Sequence, residues 1–399
     1  QSMVDRVVTR YFRPTGRADG QPYAPSPKLS LKPNRQAQEL SVLGNFVEVW
    51  LAKDGHKGTI GINFMEKVQM ATPAAALGAM LAKVDYVLMG AGVPREIPHL
   101  LDELAAGREG RITVDVHGAE DVYTVGVNPT ELLGPDLPSL SRPIFLAIVS
   151  ANMLAYYLAR DKAIRPDGFV IEGHRAGGHN APPRGRLTLA DDGQPIYGER
   201  DDVDLEKIVA LGLPFWLAGG YGRPERLVAA LESGAAGVQV GTLFALSRES
   251  GISDKLRGQV LDQIDSADLS VRTEASASPT GFPFKVAQLP GTLSEPEVYA
   301  ERERLCDLSY LREPYLKKDG EVGFRCPSEP VHMYVRKGGA VEDTVGRVCM
   351  CNALTATVGL GQTRKSGYSE VPLVTLGNDI DGVANLRAAY PNGWSAADV

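Results

Sequence analysis

Apolar and polar positions along this chain follow two rhythms, and they take turns. Six short apolar runs, near residues 60, 86, 146, 170, 216 and 239, read as buried strands. Stretches of helical spacing separate most of them. Before the first run, Asn34 is placed to cap a helix whose apolar positions are Leu40, Leu43, Val47, Trp50 and Leu51, stopped by Asp54-Gly55. Thr72-Pro73 reads as a cap followed by a first-turn proline, starting a helix that runs to Lys83. Helices are also expected over 94–106, 152–160, 205–211 and 224–232. Residues 112–116 and 122–127 flank a polar turn and predict an inserted hairpin within 111–127.

Alternation of this kind predicts an α/β fold with parallel strands and right-handed crossovers. A closed (β/α)8 TIM barrel needs eight strands, and six are counted here. Glycine-rich turns after the last two runs mark the end of such a barrel, so the shortfall is placed upstream. The expected organisation is a proline-rich arm and helix over 1–57, a barrel domain over 58–250 lacking its first two strands, and a mostly helical, irregular extension over 251–399. The chain opens on Gln1-Ser2-Met3, and an upstream segment of two βα units is expected to complete the barrel.

Composition narrows the class. The net charge is −7, so nothing argues for nucleic-acid binding. The longest apolar stretch, 143–159, is interrupted by Ser150 and Asn152 and reads as strand then helix, so no membrane partner is expected. The four cysteines, Cys306, Cys326, Cys349 and Cys351, are too few for a disulfide scaffold and suit a cytoplasmic protein. Their spacing matches no zinc motif. Buried thiols are the expectation, and no metal.

Candidate chemistry clusters after the later strands. The run 168–172 leads into Ala176-Gly177-Gly178-His179, past the carboxyl end of a strand, where chemistry gathers in parallel α/β proteins. The next two runs end in Ala218-Gly219-Gly220 and Val240-Gly241-Thr242. Backbone N–H groups in two such turns, aided by helix N-termini, suit a phosphate; the alternative is that the glycines only make tight turns. His179 titrates near neutrality and suits acid, base or hydrogen-bonding work; otherwise it is a surface-loop histidine. His174 is read with equal weight as a pocket residue or a structural one. Lys67 and Ser150, each just after a strand, are further pocket candidates, although Lys67 also reads as an ordinary surface lysine.

With these motifs in view, the chain resembles the nitronate monooxygenase (2-nitropropane dioxygenase) family, which also contains flavin-dependent enoyl-acyl-carrier-protein reductases. The resemblance covers roughly 58–250 and rests on Gly61-Ile62-Asn63, Glu172-Gly173 through His179, Ala218-Gly219-Gly220 and 238–242. It implies an FMN-dependent barrel oxidoreductase acting on a small molecule, with His179 catalytic. It carries the cofactor contacts onto Asn63, Glu172, Gly177, Gly178, Gly219, Gly220, Gln239, Gly241 and Thr242. His174, Ser150 and Lys67 would line the substrate pocket, and a homodimer is compatible with the resemblance. Oxidation of alkyl nitronates by oxygen is the leading reaction. An NAD(P)H-dependent enoyl-thioester reductase is the alternative, and a flavin-free lyase or isomerase of a phosphorylated ligand stands behind both. The chain departs from the family in carrying His174-Arg175 before Ala-Gly-Gly-His, where a glutamate is usual, and in lacking the family's opening strand and glycine-rich loop.

Overall fold

The computed structural model describes residues 2–18 and 20–399. The chain divides into two compact units. The first is drawn from residues 1–148, 154–168 and 307–326, and the second from 149–153, 169–306 and 327–399.

In the first unit the helix Arg35–Lys53 starts where expected. Asn34 Oδ1 accepts from the Ala37 N–H at 3.2 Å, and the helix stops at Asp54 with Gly55 at φ +78°. Its buried face is not the expected one. Ala37, Val42 and Val49 are buried, whereas Val47, Trp50 and Leu51 are exposed. The reason is a close crossing with the helix Thr72–Leu81. A Cβ on Gly78 would lie 2.2 Å from the Val42 carbonyl oxygen, so the backbones meet there and the Val42 side turns inward. Glu39 is also buried, held by Arg6 and by Arg35 at 2.9 Å; Arg6 is the main reason its carboxyl sits below the usual range. Thr72 is not the cap of the second helix. Ala71 is, and the Thr72 hydroxyl donates to Val68 O at 3.0 Å.

The strands of this unit are β1 (Gly61–Met65), β2 (Tyr86–Gly90), β3 (Gly110–Val114), β4 (Tyr123–Val127) and β5 (Ile144–Val149). β2 pairs in parallel with both β1 and β5, and β3 and β4 form the antiparallel hairpin. β1 lies two residues later than expected. Ile60 is spent on Asp85, its N–H reaching Asp85 Oδ2 at 2.9 Å, and regular pairing begins at Gly61 opposite Tyr86. Residues 307–326 add a second hairpin, Glu313–Leu316 against Val322–Arg325. The His117 N–H donates to Pro314 O at 3.0 Å, tying the two hairpins together.

In the second unit β6 (Gly168–Glu172), β7 (Phe215–Ala218) and β8 (Gly237–Gln239) are parallel neighbours. Phe169, Val170 and Ile171 are buried, as a strand covered on both faces requires. Six parallel-paired strands therefore stand at the six expected places among the described residues, and the α/β class is as expected. Beyond residue 250 the chain holds more strand than expected, since β9 (Val271–Glu274) and β10 (Phe284–Ala287) pair antiparallel. An apolar cluster joins the helix Asp254–Asp265 to Leu243, Leu246, Val374, Leu376, Val383 and Trp394. The Trp394 indole N–H donates to Leu243 O at 2.9 Å, so burial costs that side chain no hydrogen bond.

Candidate functional site

The carboxyl ends of β6, β7 and β8 open onto one cavity of about 330 Å³, lined wholly by residues of the second unit. β6 supplies Glu172 and, beyond it, Gly177 and Gly178. β7 supplies the turn Gly219-Gly220, and β8 supplies Gln239, Gly241 and Thr242. Eight of the nine residues assigned to cofactor binding therefore meet around one space. The ninth, Asn63, lies mid-strand in β1 of the first unit.

Each turn is built for backbone, not side chain. Gly219 and Gly220 have φ of +88° and +89°, which L side chains rarely adopt. A Cβ on Gly219 would lie 3.0 Å from the Ala176 N. A Cβ on Gly241 would meet nothing within 4 Å, because it would project into open space. The helix after Gly241, Thr242–Ala245, is a single turn, too short for the dipole contribution expected of it.

A segment that the motif reading missed forms the opposite wall. Thr375, Leu376, Gly377, Asp379 and Gly382 all line the cavity. A Cβ on Gly177 would lie 2.8 Å from the Leu376 carbonyl carbon, and the Gly377 N–H donates to Thr242 Oγ1 at 2.9 Å. Its signal was present: Val371 to Leu376 is mostly apolar and ends in Gly377, the same run-then-glycine pattern that marks the other turns.

Glu172 lines this cavity together with the titratable groups Arg175, Tyr221 and Asp379. Burial pushes the Glu172 carboxyl from the usual 4.5 up to about 7. His179 does not line the cavity. Its Nε2 is 2.6 Å from Ser278 Oγ, and its ring packs edge-on against Phe284 at 4.8 Å. Burial pulls it down to about 4, so the imidazole is neutral at pH 7. The loop carrying it is clamped to β10 by the Lys285 N–H, which donates to Gly178 O at 2.9 Å. Lys285 itself is buried, with Nζ 2.5 Å from Thr273 Oγ1, and desolvation lowers it to about 8.

His174 lines a second cavity of about 400 Å³, with Arg175, Tyr221 and Arg226, on the other side of Gly219-Gly220. Its ring stacks on Tyr197 at 4.5 Å, and burial first, then the Lys285 charge, lowers its pKa. Ser150 follows β5, and its carbonyl accepts from the Arg184 guanidinium. Lys67, in the first unit, pairs with Glu66 at 3.0 Å. None of the four cysteines is in a disulfide, and among the described residues no group of three or more His, Cys, Asp or Glu is placed to hold a metal. Among those residues no helix is long and apolar enough to cross a membrane.

Residues 135–280 match the family model for nitronate monooxygenase. A nitronate monooxygenase of Metarhizium robertsii is 30% identical over 146 residues, covering 36% of this chain and 35% of that protein. A hydroxy-methyl-oxo-octahydroindene-carboxyl-CoA dehydrogenase of Mycobacterium tuberculosis is 29% identical over 121 residues, covering 30% of this chain and 29% of that one. Among solved structures, a nitroalkane oxidase from Streptomyces ansochromogenes superposes at a TM-score of 0.39 with 19% identity, covering 61% of this chain and 66% of that chain. The chain thus spans about a third of the length of the curated relatives it matches. The stretch 135–280 that is similar to the nitronate monooxygenase model holds β6 to β8 and the glycine turns that meet at the cavity.

Proposed function

We propose that this chain is a flavin-dependent oxidoreductase of the nitronate monooxygenase type, with FMN as its cofactor and a small alkyl nitronate as its substrate. The observation that carries this reading is the convergence of two glycine turns and Glu172 on the 330 Å³ cavity. That volume lies within the range typical of ligand sites. The cradle fits the cofactor's anionic end. Gly219 and Gly220 line the space in backbone conformations that side chains rarely adopt, and Gly241, also in the lining, has open space where a Cβ would stand, so backbone N–H groups could approach a phosphate closely. Gln239 offers both a donor and an acceptor to a ring or hydroxyl edge.

Bound FMN would supply a two-electron acceptor able to pass electrons on to oxygen. The chain's own residues would bind, orient and handle protons. Glu172, titrating near 7, can present either an O–H donor or a carboxylate to the cavity at neutral pH. His179, neutral and fixed by Ser278 and Phe284, would act as a hydrogen-bonding group and not as a cation. His174 would face the substrate from the second cavity.

The alternative is a reductase of an unsaturated acyl thioester using NAD(P)H. It is favoured by the relative named for a carboxyl-CoA substrate. Absorbance of the purified protein, then anaerobic mixing with a nitronate or with NADPH, separates the readings. Bleaching of a bound flavin by the nitronate supports the first, and bleaching by NADPH alone supports the second. Absence of flavin binding, with FMN added in excess, refutes both.

A further inference from the structure

The Gly219-Gly220 turn already faces an anion, and the chain itself supplies it. Asp379 Oδ2 lies 2.9 Å from where a Cβ on Gly220 would stand. The same oxygen is 3.9 Å from Arg175 Nη1 and 3.9 Å from Arg223 Nη2. Both distances are longer than a hydrogen bond, so neither guanidinium is saturated by this carboxylate. The Asp379 side chain is only 11% exposed and forms part of the cavity wall. Two arginines converging on one carboxylate in the cavity wall, Arg175 itself lining the cavity, match a tetrahedral dianion better than a single carboxylate.

We infer that Arg175 and Arg223 form the charged part of a subsite for a phosphomonoester, and that Asp379 is the resident anion which the phosphate displaces. This rests on the cofactor reading above and extends it. The backbone turns would position the phosphate, the arginines would supply charge, and Asp379 would set the threshold for entry. A dianion outcompetes Asp379, whereas the same ligand without its phosphate has nothing to offer the arginines. The subsite therefore selects for phosphorylation.

The surroundings allow Asp379 to leave. Segment 375–379 is held by bonds that do not involve its carboxylate. The Gly178 N–H donates to Thr375 Oγ1 at 2.7 Å, the Gly377 N–H to Thr242 Oγ1 at 2.9 Å and the Asn378 N–H to Arg175 O at 3.2 Å. Val374 and Leu376 anchor it in the apolar cluster. Arg223 retains Asp381 at 3.1 Å and Glu225 at 3.5 Å. Asp379→Asn therefore neither frees the segment nor strands a buried charge.

The test uses the full chain as wild type, Asp379→Asn, Arg223→Gln and Asp381→Asn, with FMN, riboflavin and inorganic phosphate as probes. Binding is read by flavin fluorescence, and phosphate binding by the rise in melting temperature. Asp379→Asn should bind FMN about tenfold or more tightly than wild type, and Arg223→Gln about tenfold or more weakly. Riboflavin affinity should change less than about twofold in both, and Asp381→Asn, at an exposed site, should change FMN affinity as little. If Arg223→Gln does not fold, the more exposed Arg175→Gln replaces it. FMN binding that is equal or weaker in Asp379→Asn overturns the inference and leaves the flavin reading standing. An equal gain in Asp381→Asn also overturns it, since the effect would then be general charge. If no form binds flavin but phosphate stabilises Asp379→Asn more than wild type, the subsite stands and the flavin reading falls. If neither occurs, both fall.

Discussion

Replacing Glu172 by Gln should stabilise the flavin-free protein at alkaline pH and leave it unchanged in acid. The carboxyl at the end of β6 titrates at about 7 in the folded chain, against an ordinary value of 4.5. Between those values the folded state holds a proton that the unfolded state has released. Stability therefore falls as pH rises through this window, and the loss is complete above about 7. A shift of about 2.5 units at 1.36 kcal/mol each, discounted for the partial exposure of the residue, amounts to roughly 2–3 kcal/mol. The Gln variant has no proton to lose, so its advantage over wild type should grow by that amount from about pH 4.5 to 7 and then stay flat. Urea unfolding followed by tryptophan fluorescence at several pH values across this range measures it. An offset between the two proteins that is the same at every pH would mean that Glu172 is not desolvated, and the proton-handling role proposed for it would lose its basis.

Three further outcomes are expected. Gly241→Leu should fold normally, because a Cβ there meets nothing within 4 Å, yet lose flavin retention because the side chain fills the cavity; full flavin occupancy would move the cofactor elsewhere. Gly78→Ala should lower stability by about 1–3 kcal/mol in thermal unfolding despite alanine's better helix propensity, because its Cβ would sit 2.2 Å from Val42 O; a more stable variant would refute the close crossing. His179→Ala should retain flavin, since the ring is not part of the cavity lining, and lose roughly 10²–10⁴-fold in turnover with the true substrate; unchanged turnover would remove it from catalysis.

The strands of this fold were legible because they are buried on both faces. Phe169-Val170-Ile171 and Phe145-Leu146-Ala147 are unbroken apolar runs, and such runs announce themselves without reference to anything distant. The glycine turns that follow them were legible for the same local reason. The face of the helix Arg35–Lys53 was not. Val42 and Val49 compete there with Val47, Trp50 and Leu51, and only the absent side chain of Gly78, far along the chain, decides between them. β9 and β10 were missed because they are four residues each and carry charge inward. Lys285 is buried in β10, a position where a sequence pattern expects an apolar side chain. Asp379 illustrates the limit most sharply. Nothing near it in the chain marks it as facing Gly220, and that meeting exists only once Leu376 and Val374 are seated in the apolar cluster.

The two hairpins of the first unit have a consequence for how the protein is made. His117, beside β3, gives its N–H to Pro314, nearly two hundred residues later, and the residues between them include β6 to β10. A ribosome adding about 5–20 residues per second needs roughly 10–40 s to deliver Pro314 after His117 has emerged. For that interval β3 and β4 already meet the helices Thr72–Leu81 and Ile97–Ala105, but the turn around His117 lacks its partner and stands open to chaperones and to other nascent chains. A chain diluted out of denaturant meets no such delay, since both hairpins are present from the first instant. Yields on refolding and yields in the cell should therefore respond differently to substitutions at His117, and slower translation of the stretch between the hairpins should lengthen the exposure in direct proportion.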